Sequence, residues 1–152
     1  MPKVGEKAPD FALLNQDGET IRLSDYRGKK VILFAYPAAD TPGCTKQACG
    51  FRDAMPRLET TNAVVLGISP DELQAQLKWK KKQNLSYDLL SDTDHAVLEQ
   101  WGAWGEKNTF GNKYMGVIRS HWVIDENGTV IEEKINIKPE ESVASAIQMI
   151  GV

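Results

Sequence analysis

The apolar run Val31-Ile32-Leu33-Phe34-Ala35 stops at Tyr36-Pro37. After Thr41-Pro42-Gly43 a helix-forming stretch begins at Cys44. A β-branched, apolar run without polar alternation predicts a buried strand. A second run of the same kind, Ala63 to Ser69, predicts another. Buried strands separated by helical stretches and followed by a late hairpin restrict the chain to an α/β sandwich with a mixed sheet.

The remaining elements fit around these runs. Phe11–Leu14 and Thr20–Leu23 flank Asn15-Gln16-Asp17-Gly18, an N-terminal β-hairpin signal. Ser24 to Gly28 reads as a capped helical turn, and Pro56 is positioned to kink the cysteine helix. Ser69-Pro70-Asp71-Glu72 predicts a helix start with proline at its first position. That helix runs through Leu73, Leu77 and Trp79 to Lys80-Lys81-Lys82, which reads as a solvated helix end or an anionic docking patch. Tyr87–Leu90 reads as a strand, and Ser91-Asp92-Thr93 starts a helix to about Trp101. Gly102 to Gly116 has little periodicity and reads as a long loop. Strands over Val117–Ile124 and Thr129–Ile137 join through Asp125-Glu126-Asn127-Gly128. Pro139 opens a last helix with Val143, Ala146, Ile147 and Ile150 at helical spacing.

Both cysteines of the chain, Cys44 and Cys49, lie in the stretch after the first buried strand. A thiol at a helix start meets unpaired amides and the positive end of the helix dipole, which favour a thiolate. In intact helix, positions i and i+5 are about 8.6 Å apart at Cα. A disulfide needs about 7 Å or less. The two cysteines can therefore bond only if the helix start unwinds. That suits a reversible disulfide coupled to local unfolding; the alternative is two unrelated thiols, Cys49 being a small core hydrophobe.

Pro37, Thr41 and Cys44 stand in the register Pro-x-x-x-Thr-x-x-Cys, and Arg119 lies far downstream in Gly116-Val117-Ile118-Arg119-Ser120-His121-Trp122. With the Cys-x-x-x-x-Cys spacing, the opening Val4–Phe11 and the segment Trp104–Gly116, these features resemble a peroxiredoxin. They are most similar to the bacterioferritin comigratory protein, or Q-type, subfamily. The resemblance covers essentially all 152 residues as one domain. It implies a thioredoxin-like fold and a thiol-dependent peroxidase acting on hydrogen peroxide and organic hydroperoxides. Cys44 is then the peroxidatic residue. Arg119 is a cation holding sulfur and peroxide, and Thr41 a hydroxyl orienting the peroxide. Pro37 and Pro42 stiffen and screen the site, and the amides of Gly43 and Cys44 serve as donors. Cys49 is the resolving residue, closing a Cys44–Cys49 disulfide that thioredoxin, or else glutaredoxin, reduces. No flavin, haem or metal is implied, and the subfamily suggests a monomer or weak homodimer.

Two positions depart from the subfamily. Ala38-Ala39 stands where a lysine is common, and His121 stands where threonine is usual. Strand alternation puts His121 on the face of Arg119, a candidate for coupling the site to pH. The alternative is a core histidine with satisfied hydrogen bonds. Trp104 is a candidate for shaping access to Cys44. The spacing of His95 and His121 fits no zinc pattern.

A net charge of −3 offers no basic surface for nucleic acid, and no apolar run reaches bilayer length. The first residues carry no apolar signal core, so the expected location is cytoplasmic. Two other functions fit the same thiols: a general thiol–disulfide oxidoreductase, against which the missing Cys-x-x-Cys counts, and a redox-sensing binding module.

Overall fold

The computed structural model describes residues 1–152. In chain order the elements are β1 (Ala12–Leu14), β2 (Thr20–Arg22), a 3-10 turn (Leu23–Tyr26), β3 (Lys30–Ala35), α1 (Pro42–Glu59), β4 (Ala63–Ser69), α2 (Leu73–Gln83) and β5 (Asp88–Ser91). There follow α3 (Ala96–Gln100), β6 (Trp104–Thr109), β7 (Asn112–Val117), β8 (Ser120–Ile124), β9 (Val130–Ile135) and α4 (Pro139–Ile150). The seven strands of the main sheet lie in the order β2-β1-β5-β4-β3-β8-β9. β3, β4 and β5 are parallel, while β8, β9 and the β1–β2 hairpin run antiparallel to their neighbours. This is the α/β fold with a mixed central sheet that the buried runs predict, in the thioredoxin-like arrangement that the family resemblance implies. No helix is long and apolar enough to cross a membrane.

β3 is buried on both faces, and its side chains divide the core. Ile32, Phe34 and Tyr36 join Cys44, Ala48 and Phe51 of α1, Trp79 of α2 and Ala146 of α4 in one cluster. Val31, Leu33 and Ala35 face the other cluster, with Leu98, Trp101 and Trp122. The parallel crossovers β3-α1-β4 and β4-α2-β5 step the same way along the sheet. Their common hand puts α1 and α2 on one side of it.

Several elements differ from the sequence reading. Gly102–Gly116 is not a loop. Most of it forms the two-stranded sheet β6–β7, turned at Phe110-Gly111 with φ of 52° and 83°. Arg119 is not inside a strand: β7 ends at Val117, β8 starts at Ser120, and Ile118-Arg119 carries the chain from one sheet to the other. α2 begins at Leu73, leaving Pro70 outside it, because Asp71 turns its carboxylate to the Ser69 hydroxyl (2.7 Å) and the Ala39 amide (2.8 Å). The helix expected from Ser91 is only α3, since Asp92 and His95 form a preceding turn with His95 at φ 52°. Pro56 lies on the exposed side of α1, and the helix continues past it to Glu59. Of the three consecutive lysines, Lys80 donates to the carbonyls of Leu85 and Tyr87 at the end of α2, Lys82 pairs with Asp40, and Lys81 is exposed. The reading as a helix end therefore accounts for the cluster.

Candidate active site

The site forms where β3 ends beside β4 and β8 and the chain turns into α1. Tyr36 leaves the strand, and Asp40 at φ 61° reverses the chain. Asp71 holds the Ala39 amide, which pins this turn from the segment just before α2. Thr41 is the N-cap residue and Pro42 the first helical residue. The Thr41 hydroxyl does not cap the helix; it donates to the Ala38 carbonyl at 2.8 Å. Its lone pairs remain able to accept a hydrogen bond.

Pro42 has no N–H, and the amide of Thr45 bonds to the Thr41 carbonyl. The amides of Gly43 and Cys44 therefore remain as the free donors of this helix start. Cys44 itself is only 1% exposed. Its Sγ accepts a hydrogen bond from Arg119 Nη2 at 3.4 Å. The other arm of the fork, Nη1, donates to Gln47 Oε1 at 2.8 Å. Gly43 makes room for this guanidinium: a Cβ there would lie 3.1 Å from Nη2.

Beside the guanidinium opens a groove of about 620 Å³. Pro37, Ile118, Ile135 and Ile137 give it apolar walls, while Lys107 and Lys138 are among its polar lining. Arg119 lines the groove and also touches the sulfur, so it bridges solvent and the buried thiol.

Cys49 lies in the same unbroken helix as Cys44, and both are free thiols. Cys49 is half-buried, and its Sγ donates to Gln83 Oε1 at 3.5 Å. Two other contacts hold the segment between the cysteines. Trp79 Nε1 donates to Thr45 Oγ1 at 3.2 Å, and the buried Tyr87 hydroxyl donates to the Ala48 carbonyl at 2.6 Å.

Residues 4–133 match the AhpC/TSA family. The chain belongs to this family of peroxiredoxins. It is 48% identical to a putative peroxiredoxin, bcp, of Coxiella burnetii over 145 residues, covering 95% of this chain and 96% of that one. It is 43% identical to peroxiredoxin Bcp of Bacillus subtilis over 146 residues, covering 96% and 93%. The crystal structure of peroxidoxin BcpB from Mycobacterium tuberculosis superposes with a TM-score of 0.87 at 34% identity, covering 99% and 97%. The peroxiredoxin is thus a thiol peroxidase of the Bcp group.

The fold gathers Pro37, Thr41, Pro42, Gly43, Cys44 and Arg119 of this peroxiredoxin at one place and sets Cys49 further along α1. Trp104 is elsewhere. It packs against the cluster on the opposite face of the sheet and stacks on His95, with ring centroids 3.9 Å apart. His121 is fully buried. Its Nδ1 is 2.7 Å from Ser142 Oγ and its Nε2 is 2.6 Å from Glu132 Oε1. Burial holds its pKa below the usual value for histidine, against the opposing pull of Glu132. It is therefore a core histidine with both nitrogens bonded, and it does not share a strand face with Arg119. Gln47, Ser142 and Asp71 escaped the sequence reading. Gln47 had a signal, because it falls among Cys44, Ala48 and Phe51 on the buried face of α1. A polar residue on such a face needs partners.

Proposed function

We propose that this peroxiredoxin reduces hydrogen peroxide and organic hydroperoxides through a two-cysteine cycle within one chain and one domain. The observation that carries the reading is the guanidinium of Arg119 in contact with the sulfur of a buried cysteine at a helix start. In the first step the Cys44 thiolate attacks one peroxide oxygen. The S–O bond forms as the O–O bond breaks, and the second oxygen leaves as hydroxide or alkoxide and takes a proton. Arg119 and the amides of Gly43 and Cys44 face the charge that develops on the oxygens. Thr41, its own proton committed to Ala38, accepts the hydrogen of the bound peroxide and so orients it. Pro37 and Pro42 keep the turn rigid and limit water near the sulfur. The groove between Pro37 and Ile137 accommodates the alkyl part of an organic hydroperoxide.

Cys44 leaves this step as a sulfenic acid. Cys49 then attacks the Cys44 sulfur, a disulfide forms and water is released. Both cysteines sit in intact helix, about 8.6 Å apart at Cα by helix geometry, so the start of α1 must open for this step. A dithiol protein of the thioredoxin type returns both cysteines to thiols by exchange. Resolution inside one chain requires no second copy, which fits a monomer, and a cycle dependent on a dithiol reductant fits the cytoplasm.

The test is to mix reduced protein with hydrogen peroxide or cumene hydroperoxide and follow both thiols by mass spectrometry. The expected result is rapid loss of both thiols with a Cys44–Cys49 link in each molecule, and sulfenic acid at Cys44 in Cys49→Ser. Slow oxidation at ordinary thiol rates, or links only between chains, would remove the reading.

A further inference from the structure

The mechanism uses one arm of the Arg119 fork, while the other leads into the protein. Arg119 Nη1 reaches Gln47 Oε1 at 2.8 Å, Gln47 Nε2 reaches Ser142 Oγ at 2.9 Å, Ser142 Oγ lies 2.7 Å from His121 Nδ1, and His121 Nε2 lies 2.6 Å from Glu132 Oε1. Gln47, Ser142 and His121 are each 0% exposed. The four contacts join α1, α4, β8 and β9 in one buried line.

The two ends of the line fix every proton in it. A guanidinium only donates and a carboxylate only accepts. Gln47 must therefore turn its oxygen to Arg119 and its NH2 to Ser142. At the far end Glu132 requires a proton on His121 Nε2. A neutral imidazole then has a bare Nδ1, which accepts the hydroxyl proton of Ser142, and Ser142 is free to accept from Gln47. Each group donates to the next, from guanidinium to carboxylate, with no donor or acceptor opposed.

We infer that Gln47, Ser142 and His121 are positioning residues that fix the Arg119 fork over Cys44, and that they do so while His121 is neutral. The inference rests on the roles proposed above for Cys44 and Arg119. Protonation of His121 would put a hydrogen on Nδ1 facing Ser142. The Ser142 hydroxyl would lose its acceptor, with two donors then aimed at one oxygen, and the line would no longer run one way. The charged groups facing His121 are Glu132 and Lys134 of β9. α4 presents Ser142 and Ser145, α1 leads to it through Gln47, and its partner on β3 is Phe34, none of which titrates in this range. Burial opposes a charge on the ring, which extends the neutral form below the usual histidine midpoint.

The experiment measures the rate of Cys44 with hydrogen peroxide and, separately, with iodoacetamide, which needs no oxygen held by Arg119. Ser142→Ala, Ser142→Thr and His121→Gln are compared with the unaltered protein and with Arg119→Ala. Ser142→Ala is expected to lower the ratio of the two rates by about tenfold, as for one misplaced donor at the reacting atoms. Ser142→Thr, which keeps the hydroxyl, is expected to restore it to within about threefold. The unaltered protein should lose this ratio below the His121 midpoint. His121→Gln, which keeps one donor and one acceptor but does not titrate, should hold it on the acid side. If Ser142→Ala fails to fold, the acid-side comparison with His121→Gln decides. A folded Ser142→Ala with an unchanged ratio, or identical acid limbs in the unaltered protein and His121→Gln, would overturn the inference. If Arg119→Ala also left the ratio unchanged, the roles of Cys44 and Arg119 themselves would fall.

Discussion

Replacing Tyr87 by Phe should speed the disulfide-forming step and leave the peroxide step alone. The Tyr87 hydroxyl donates to the carbonyl of Ala48, which lies between the two cysteines in the segment that the proposed disulfide requires to open. Phenylalanine keeps the ring that packs on Phe34 and removes only the oxygen. The Ala48 carbonyl keeps its helical donor, so no orphaned acceptor is left behind. A buried neutral hydrogen bond contributes about 1 kcal/mol net. If the tether is released when the helix start melts, its loss favours the open state by about fivefold. Disulfide formation, which draws on that state, should accelerate by the same factor. The partition of the sulfenic acid towards overoxidation at high peroxide should fall about fivefold with it. Stopped-flow fluorescence separates the two steps, since Trp79 touches the opening segment through Thr45. Mass spectrometry counts the sulfinic product. A variant with lowered global stability but an unchanged rate of disulfide formation would show that Ala48 does not move in that step.

Three further outcomes are expected. Arg119→Lys keeps the charge but cannot reach both Cys44 and Gln47, and the second-order rate with hydrogen peroxide should fall about a hundredfold. Gly43→Ala places a Cβ 3.1 Å from Arg119 Nη2 while suiting the helix better; the peroxide rate should drop about tenfold with no fall in thermal midpoint. The depressed pKa of His121 makes stability depend on pH. Between that pKa and about 6.5 the unfolded chain binds more protons than the folded one, so stability falls on acidification through the window and levels off below it. Thermal melts from pH 7.5 downward should show this fall, and His121→Gln should flatten it.

The parts of the fold that were legible are those where burial imposes a pattern. β3 and β4 are covered on both faces, so their sequences are unbroken apolar runs. β6 and β7 form a separate two-stranded sheet, and five of the six residues of β7 are exposed or half-exposed. With no buried face there is no alternation to read, and Phe110-Gly111 is not one of the familiar hairpin dipeptides. Arg119 was identifiable through its family register but not through its backbone, because a break of two residues between sheets leaves no mark in an otherwise apolar stretch. The start of α2 departs from its sequence pattern for a different reason. Ser69-Pro70-Asp71 is good helix-opening chemistry, yet Asp71 is used across the chain at Ala39, thirty-two positions away. The line from Gln47 to Glu132 was illegible as a whole. Its members come from four elements, and only the packing of α1 on α4, and of α4 on β8 and β9, brings them together.

The placement of both cysteines on one helix has a consequence beyond catalysis. In the cycle proposed above, a reagent of a few atoms would alter two sulfurs, and the protein would record the event as lost backbone order over a turn and a half. That segment carries Lys46, which pairs with Glu140 across to α4 in the closed form. Oxidation would therefore release a charged surface contact along with the helix. Such a record would be far larger than the chemical change that wrote it, and another macromolecule could read it without ever touching a thiol.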